Sequence, residues 1–173
     1  ENPDWPEKIA HQAELLDDPQ AELHNLELAL DMGHPDQREV LLTSLAMTAF
    51  EAGEFERAEE AARELLALAG GSESWNTGNA IHKAHTVLGL LALKNRRIGQ
   101  AKEHLLDSAR VKGSPQLNSF GPNMQLALAL LQSDEPTVVI EYLELCRSFW
   151  ESSAVEHWKE SIRNGEIPDF DAN

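Results

Sequence analysis

Two stretches of the chain carry one pattern: LAMTAFEAGEFERAEEAAREL at 45–65 and LGLLALKNRRIGQAKEHLLDS at 88–108. Leu45-Ala46, Ala49, Gly53, Phe55, Ala58, Ala62 and Leu65 match, position by position, Leu88-Gly89, Ala92, Arg96, Ile98, Ala101, Leu105 and Ser108. The apolar positions recur at helical spacing on either side of a turn, so each stretch reads as a hairpin of two short helices. The small residues decide how tightly it closes. Ala46 or Gly89 in the first helix and Ala58 or Ala101 in the second sit where the helices cross, and a bulkier side chain would hold them apart. Such a hairpin cannot bury its apolar face alone and has to stack on neighbours.

Start and stop signals extend the reading in both directions. Asp4-Trp5 before Pro6 and Asp18 before Pro19 place a proline at a first helical position, giving helices over about 6–17 and 19–32, the second closed by Gly33 and Pro35. Asp36 with Glu39 resembles a capping box opening a helix that runs to Ala52. Further helices are predicted over about 55–68, 79–94, 98–111, 122–132 and 134–150, the last capped by Asp134, and a short one follows a Ser153–Glu156 capping pattern to Gly165. Gly70–Gly78 and SPQLNSFG (114–121) read as loops, and EIPDFDAN (166–173) as a tail. No segment alternates with period two, so no sheet is expected. The reading is one all-α domain of about nine helices: 6–32 as an N-terminal hairpin or cap, 37–69 and 79–112 as two repeats, 122–150 as a degenerate third, and 153–165 as a capping helix.

The shared spacing resembles the tetratricopeptide repeat, which sets a Leu-Gly pair in its first helix and a small residue early in its second. That family repeats about every 34 residues; here the interval from Ala46 to Gly89 is longer by nine, and the surplus falls in the 70–78 loop. A third hairpin aligns more loosely through Leu126-Ala127, Val139, Leu143 and Cys146, with Pro136 where an aromatic is usual. The C-terminal run, from SPQLNSFGPNMQLALALL through IPDF, is similar to tails of bacterial repeat proteins of unassigned activity, which implies a bacterial origin.

The resemblance implies an α-α superhelix whose first helices line a concave groove. Its residues would be Val40, Thr43, Met47 and Phe50, then Lys83, Thr86, Leu90 and Leu93, then Met124, Leu128 and Leu131. The set is mostly apolar and suits a hydrophobic or amphipathic helix or an extended peptide. The competing reading makes these residues core, covered by the terminal helices, by Ile167 and Phe170 of the tail, or by a second copy. The family's two-carboxylate clamp is not expected, because Thr43, Met47, Thr86 and Leu90 occupy its positions.

Charge and motif content narrow the function. A net charge of −16 repels nucleic acid and anionic membrane surfaces. The longest apolar run, Val87–Leu93, is far short of the roughly 20 residues a spanning helix needs. Cys146 stands alone, so no internal disulfide forms, no signal-peptide pattern opens the sequence, and the cytoplasm is the expected compartment. Lys94, Arg96 and Arg97 form one basic cluster, read as a solvated turn. His82 and His85 share a helix face but lack the third and fourth ligands of a metal site, and Cys146 has no histidine in its helix. With no phosphate loop, dinucleotide fingerprint or nucleophile elbow, neither catalysis nor a cofactor or metal is expected.

The expected role is a scaffold or adaptor that holds a protein or peptide partner. Trp75, Asn118, Phe120 and Asn123 are loop candidates for recognition, or else anchors and helix caps. A helix end bearing Trp150 and Trp158 suits a homodimer. The alternative role is an enzyme-associated or small-molecule-binding domain with a pocket between the 70–79 and 114–121 loops.

Overall fold

The computed structural model describes residues 18–33, 37–71 and 74–170. Among them are nine helices and no strand: α1 (Pro19–Asp31), α2 (Arg38–Glu51), α3 (Phe55–Ala69), α4 (Thr77–Lys94), α5 (Ile98–Ala109), α6 (Pro115–Phe120), α7 (Gln125–Gln132), α8 (Pro136–Cys146) and α9 (Ala154–Arg163). The all-α class and the number of helices are those read from the sequence. The membership differs, because the helix expected over 6–17 lies outside the described residues and α6 fills a stretch read as loop. The cause of α6 is local. Ser114 is extended, its hydroxyl accepts the Leu117 N–H at 3.2 Å, and Pro115 fills the first helical position.

α1 starts in the same way, with the Asp18 carboxylate accepting the N–H groups of Gln20 and Ala21 at 3.0 and 3.3 Å. Two other expected caps are corrected, and a third, Asp36 before α2, lies outside the described residues. At α9 the Ala154 N–H goes to the Ser152 hydroxyl, and Glu156 pairs with Arg147 and Lys159 instead of reaching back to Ser153. Asp134 precedes the cap position of α8 and takes a left-handed conformation that ends α7.

That conformation belongs to a turn used three times. Gly53, Arg96 and Asp134 have φ of 82°, 58° and 61°. In each hairpin the left-handed residue donates to the carbonyl three residues back (Phe50, Leu93, Leu131), and the next residue donates to the carbonyl five back (Ala49, Ala92, Leu130). This is the Schellman closure of a helix end. It joins α2 to α3, α4 to α5 and α7 to α8, with the next helix starting two residues after the left-handed one each time.

The chain forms two compact units, 1–73 and 74–173, divided inside the glycine-rich loop. In the first, α1 packs on α2 and α2 on α3. Ala46 and Ala58 are fully buried at the α2–α3 crossing, with Leu42, Leu45 and Leu65 around them; burying a leucine side chain contributes about 1.5–3 kcal/mol. In the second, α4 packs on α5 and α7 on α8, and the two hairpins stack first helix on first helix and second on second. α9 packs on α8, and α6 on α4. Gly89 is needed where α4 meets its neighbours, since a Cβ there would lie 2.2 Å from Leu126 Cδ2 and 3.2 Å from His104 Cβ. No helix among the described residues is long and apolar enough to cross a membrane.

Candidate functional site

The C-terminal unit carries two neighbouring clefts, and the backbone of 113–123 shapes both. Gly121 has φ 79° and ψ 177°, a conformation open essentially to glycine alone. A Cβ there would meet the Trp150 indole at 2.6 Å, so the chain lies flat on that ring. Phe120 is thereby left standing 82% exposed at the end of α6. Gly113 is similarly confined, with a Cβ position 2.8 Å from Phe149 Cβ.

Beyond Gly121 the chain is tied at Asn123. Its N–H donates to His82 Nε2 at 2.8 Å, its carbonyl accepts the Tyr142 hydroxyl at 3.2 Å, and its side-chain oxygen accepts the Gln125 N–H at 2.8 Å. Because His82 Nε2 accepts, the ring proton sits on Nδ1 and is donated to the Ser108 carbonyl at 3.0 Å. Burial pushes the His82 pKa down to about 4, so the ring is neutral and both nitrogens are engaged. It is a structural pin joining α4, α5 and the approach to α7, and it has no nitrogen to offer a metal.

Trp150 and Trp158 are buried with ring centres 5.9 Å apart, and the Phe170 ring meets Trp158 edge-on at 5.0 Å. Over this cluster lies a cleft of about 550 Å³, walled by Phe120, Pro122, Met124 and Leu128 on one side and by Pro168, Asp169 and Phe170 on the other. Asn123 and Gln125 add amides to its lining. A second cleft of about 630 Å³ opens beside Phe120, Trp150 and Trp158 and is bordered by Ser119, Glu151–Ala154 and His157. A smaller hollow in the N-terminal unit, about 340 Å³, is lined by Gln20, Leu23, His24, Glu27, Glu54 and Arg57. Arg57 there is paired with Glu27 at 3.1 Å, and Gln20 donates to the Ala52 carbonyl at 2.8 Å.

The residues singled out in the sequence are sorted by this geometry. Of the groove set, Thr43, Met47, Thr86, Leu90 and Leu131 are buried, and the two threonine hydroxyls bond back to the carbonyls of Glu39 and His82 in their own helices. They are core, which corrects their placement on an open surface. Phe50, Lys83 and Leu93 are half-buried, Phe50 edge-on to Phe55, and Val40 is exposed. Only Met124 and Leu128 border a described cleft. Among the loop candidates, the Asn118 side-chain oxygen accepts the Ser114 N–H and Asn123 caps α7, whereas Trp75 and Phe120 are 62% and 82% exposed. Trp150 and Trp158 are already packed inside the unit, so they are not free to face a second copy. The 70–79 and 114–121 segments border no pocket in common among these clefts, and near them Gly78 abuts the Gly113 carbonyl, 2.2 Å from where a Cβ would stand.

The remaining chemistry-bearing residues are structural. His85 Nδ1 and His104 Nδ1 bond at 3.0 Å, and burial followed by the neighbouring His104 lowers the His85 pKa. Among the described residues, no three His, Cys, Asp or Glu side chains converge on a metal position. Cys146 is buried, its thiol pushed up to about 12, which leaves it protonated and unreactive at neutral pH. Lys94, Arg96 and Arg97 are exposed at the α4–α5 turn. Sequence reasoning missed Pro122, Pro168 and the Trp150–Trp158 floor, which the chain brings together from separate segments; the signal available was the concentration of aromatics and prolines in 115–170. Compared with known proteins, the chain matches no family model, no curated sequence and no solved structure.

Proposed function

We propose that the chain is a non-enzymatic helical module, a cytoplasmic scaffold or adaptor of tetratricopeptide-like build, that holds an extended segment of a protein partner. The observation that carries this reading is Phe120, 82% exposed on the lip between two clefts that share a Trp150–Trp158 floor. An isolated exposed apolar side chain is ordinary, but one continuous with an apolar hollow marks a binding surface, and aromatics are enriched in such surfaces. The threefold hairpin turn supports the repeat-protein reading. The site differs from the first-helix groove implied by the family, because five of that groove's eleven residues are core.

A second reading, a small-molecule site, draws support from volume alone: about 550 and 630 Å³ fall within the range of ligand pockets, about 300–1,000 Å³. One variant separates the two. Peptides selected from a displayed random library against the full chain should bind Phe120→Ala about tenfold more weakly, a loss of about 1.4 kcal/mol, with the melting temperature unchanged. Equal binding by the variant would remove the cleft as the peptide site. Stabilisation by small molecules that needs Phe120, with no peptide selected, would favour the second reading.

A further inference from the structure

One wall of the peptide cleft is a piece of the chain's own C-terminal segment, seated on Trp158. Pro168 is buried while Ile167 is 54% exposed and Asp169 is exposed; Phe170 then turns inward onto the Trp158 edge at 5.0 Å with the rings at 84°. This in-and-out alternation is that of an extended chain laid on a surface. The T-shaped ring contact is the geometry that aromatic quadrupoles favour.

The segment is held differently from the helices before it. Gly165, with φ 80°, and the Glu166 N–H bonded to the Ser161 carbonyl at 2.9 Å complete the closure of α9. Beyond Glu166, no backbone–backbone hydrogen bond is made among the described residues. Lifting 167–170 off the cleft therefore opens no helix bond. The rest of the lining, from Phe120 to Leu128 with the two tryptophans, carries no charged side chain. A segment lying there meets apolar rings and the amides of Asn123 and Gln125.

We propose that residues 167–170 are a displaceable wall of the cleft that covers the Trp158 ring, and that the partner segment is of the same kind: extended, with a proline and, two residues later, an aromatic ring seated on Trp158. The inference rests on the cleft being the peptide site. In the free chain the tail covers that ring, so a partner must outcompete it there.

The test uses full-length chain and a dye-labelled octapeptide with the sequence of residues 166–173, followed by fluorescence anisotropy. Phe170→Ala in the chain should bind the octapeptide about tenfold more tightly than the unaltered chain, and Ile167→Ala, at an exposed position, should match the unaltered chain. A Phe170→Ala change in the octapeptide should abolish binding. If Phe170→Ala impairs folding, Phe170→Leu replaces it, which stays apolar but loses the ring contact with Trp158 and should also bind the octapeptide more tightly than the unaltered chain. Equal binding by the unaltered chain and by the variant that folds would overturn the proposal. Library-selected peptides that need Phe120 yet bind both chains alike would remove the tail from the cleft and leave the cleft a peptide site. No peptide bound by any form would overturn both readings.

Discussion

His82 shows at the scale of one residue how burial sets a chemical role. Its spacing from His85 is legible in the sequence, but its partners, the Ser108 carbonyl and the Asn123 N–H, lie 26 and 41 positions away, and no local pattern marks them. The consequence is a pH dependence with a definite sign. The folded-state pKa is lowered from 6.5 to about 4, so between these values the unfolded chain holds a proton that the folded chain does not. Stability should be flat above about pH 6.5 and fall as the pH drops towards 4, by a total on the order of 3 kcal/mol from this group. His85, also lowered, acts in the same direction. Urea midpoints measured from pH 7.5 down to 4.5 check this, and His82→Gln should flatten the slope; an unchanged slope would show that His82 is not the titrating group. Cys146 is the contrasting case: it ends α8, and the lack of a histidine in that helix already points to a packing role.

Among elements, the hairpins were the most legible part of the molecule. Ala46, Ala58, Gly89 and Ala101 announce helix crossings by size alone, and all four are buried. The turn between paired helices is also written in the chain at Gly53, but Arg96 and Asp134 adopt the same left-handed conformation without glycine's freedom. A prediction follows from the cost of that conformation for a side-chain-bearing residue, about 1–2 kcal/mol, partly offset by glycine's greater freedom in the unfolded chain. Arg96→Gly should raise stability by about 0.5–1 kcal/mol and Asp134→Gly by less, because aspartate tolerates the region better; thermal melts of both variants check the order. α6 escaped the reading although Ser114-Pro115 uses the same start signal as Asp18-Pro19. A single turn held by one buried side chain, Leu117, has too little periodicity to register. Asp134 and Ser153 failed as caps for a related reason: the residue type was right, but the neighbouring turn had already fixed their backbone.

For the whole molecule, composition foretold the all-helical class but not the division into two units or the position of the cleft, which needs α6, α7, α9 and the segment after Gly165 brought together. The charge is divided very unevenly. Residues 1–73 contain four basic and eighteen acidic side chains, while 74–173 contain ten and twelve. In the described part of the first unit all three arginines are paired, with Glu64, with Glu27 and Glu60, and with Glu59, and the surplus acids repel one another. Raising salt from about 0.02 to 0.5 M should therefore slow hydrogen exchange in α1–α3 more than in α4–α9, because screening acts on the excess; mass-resolved exchange checks it, and an equal response in the two units would contradict it. One further consequence comes from the paired indoles of Trp150 and Trp158. Two such chromophores held 5.9 Å apart and tilted by 34° couple their electronic transitions, giving the near-ultraviolet dichroism of this molecule a signature of its own. Anything that enters or leaves the space above them changes that coupling, so the protein carries an intrinsic optical gauge of the state of its cleft.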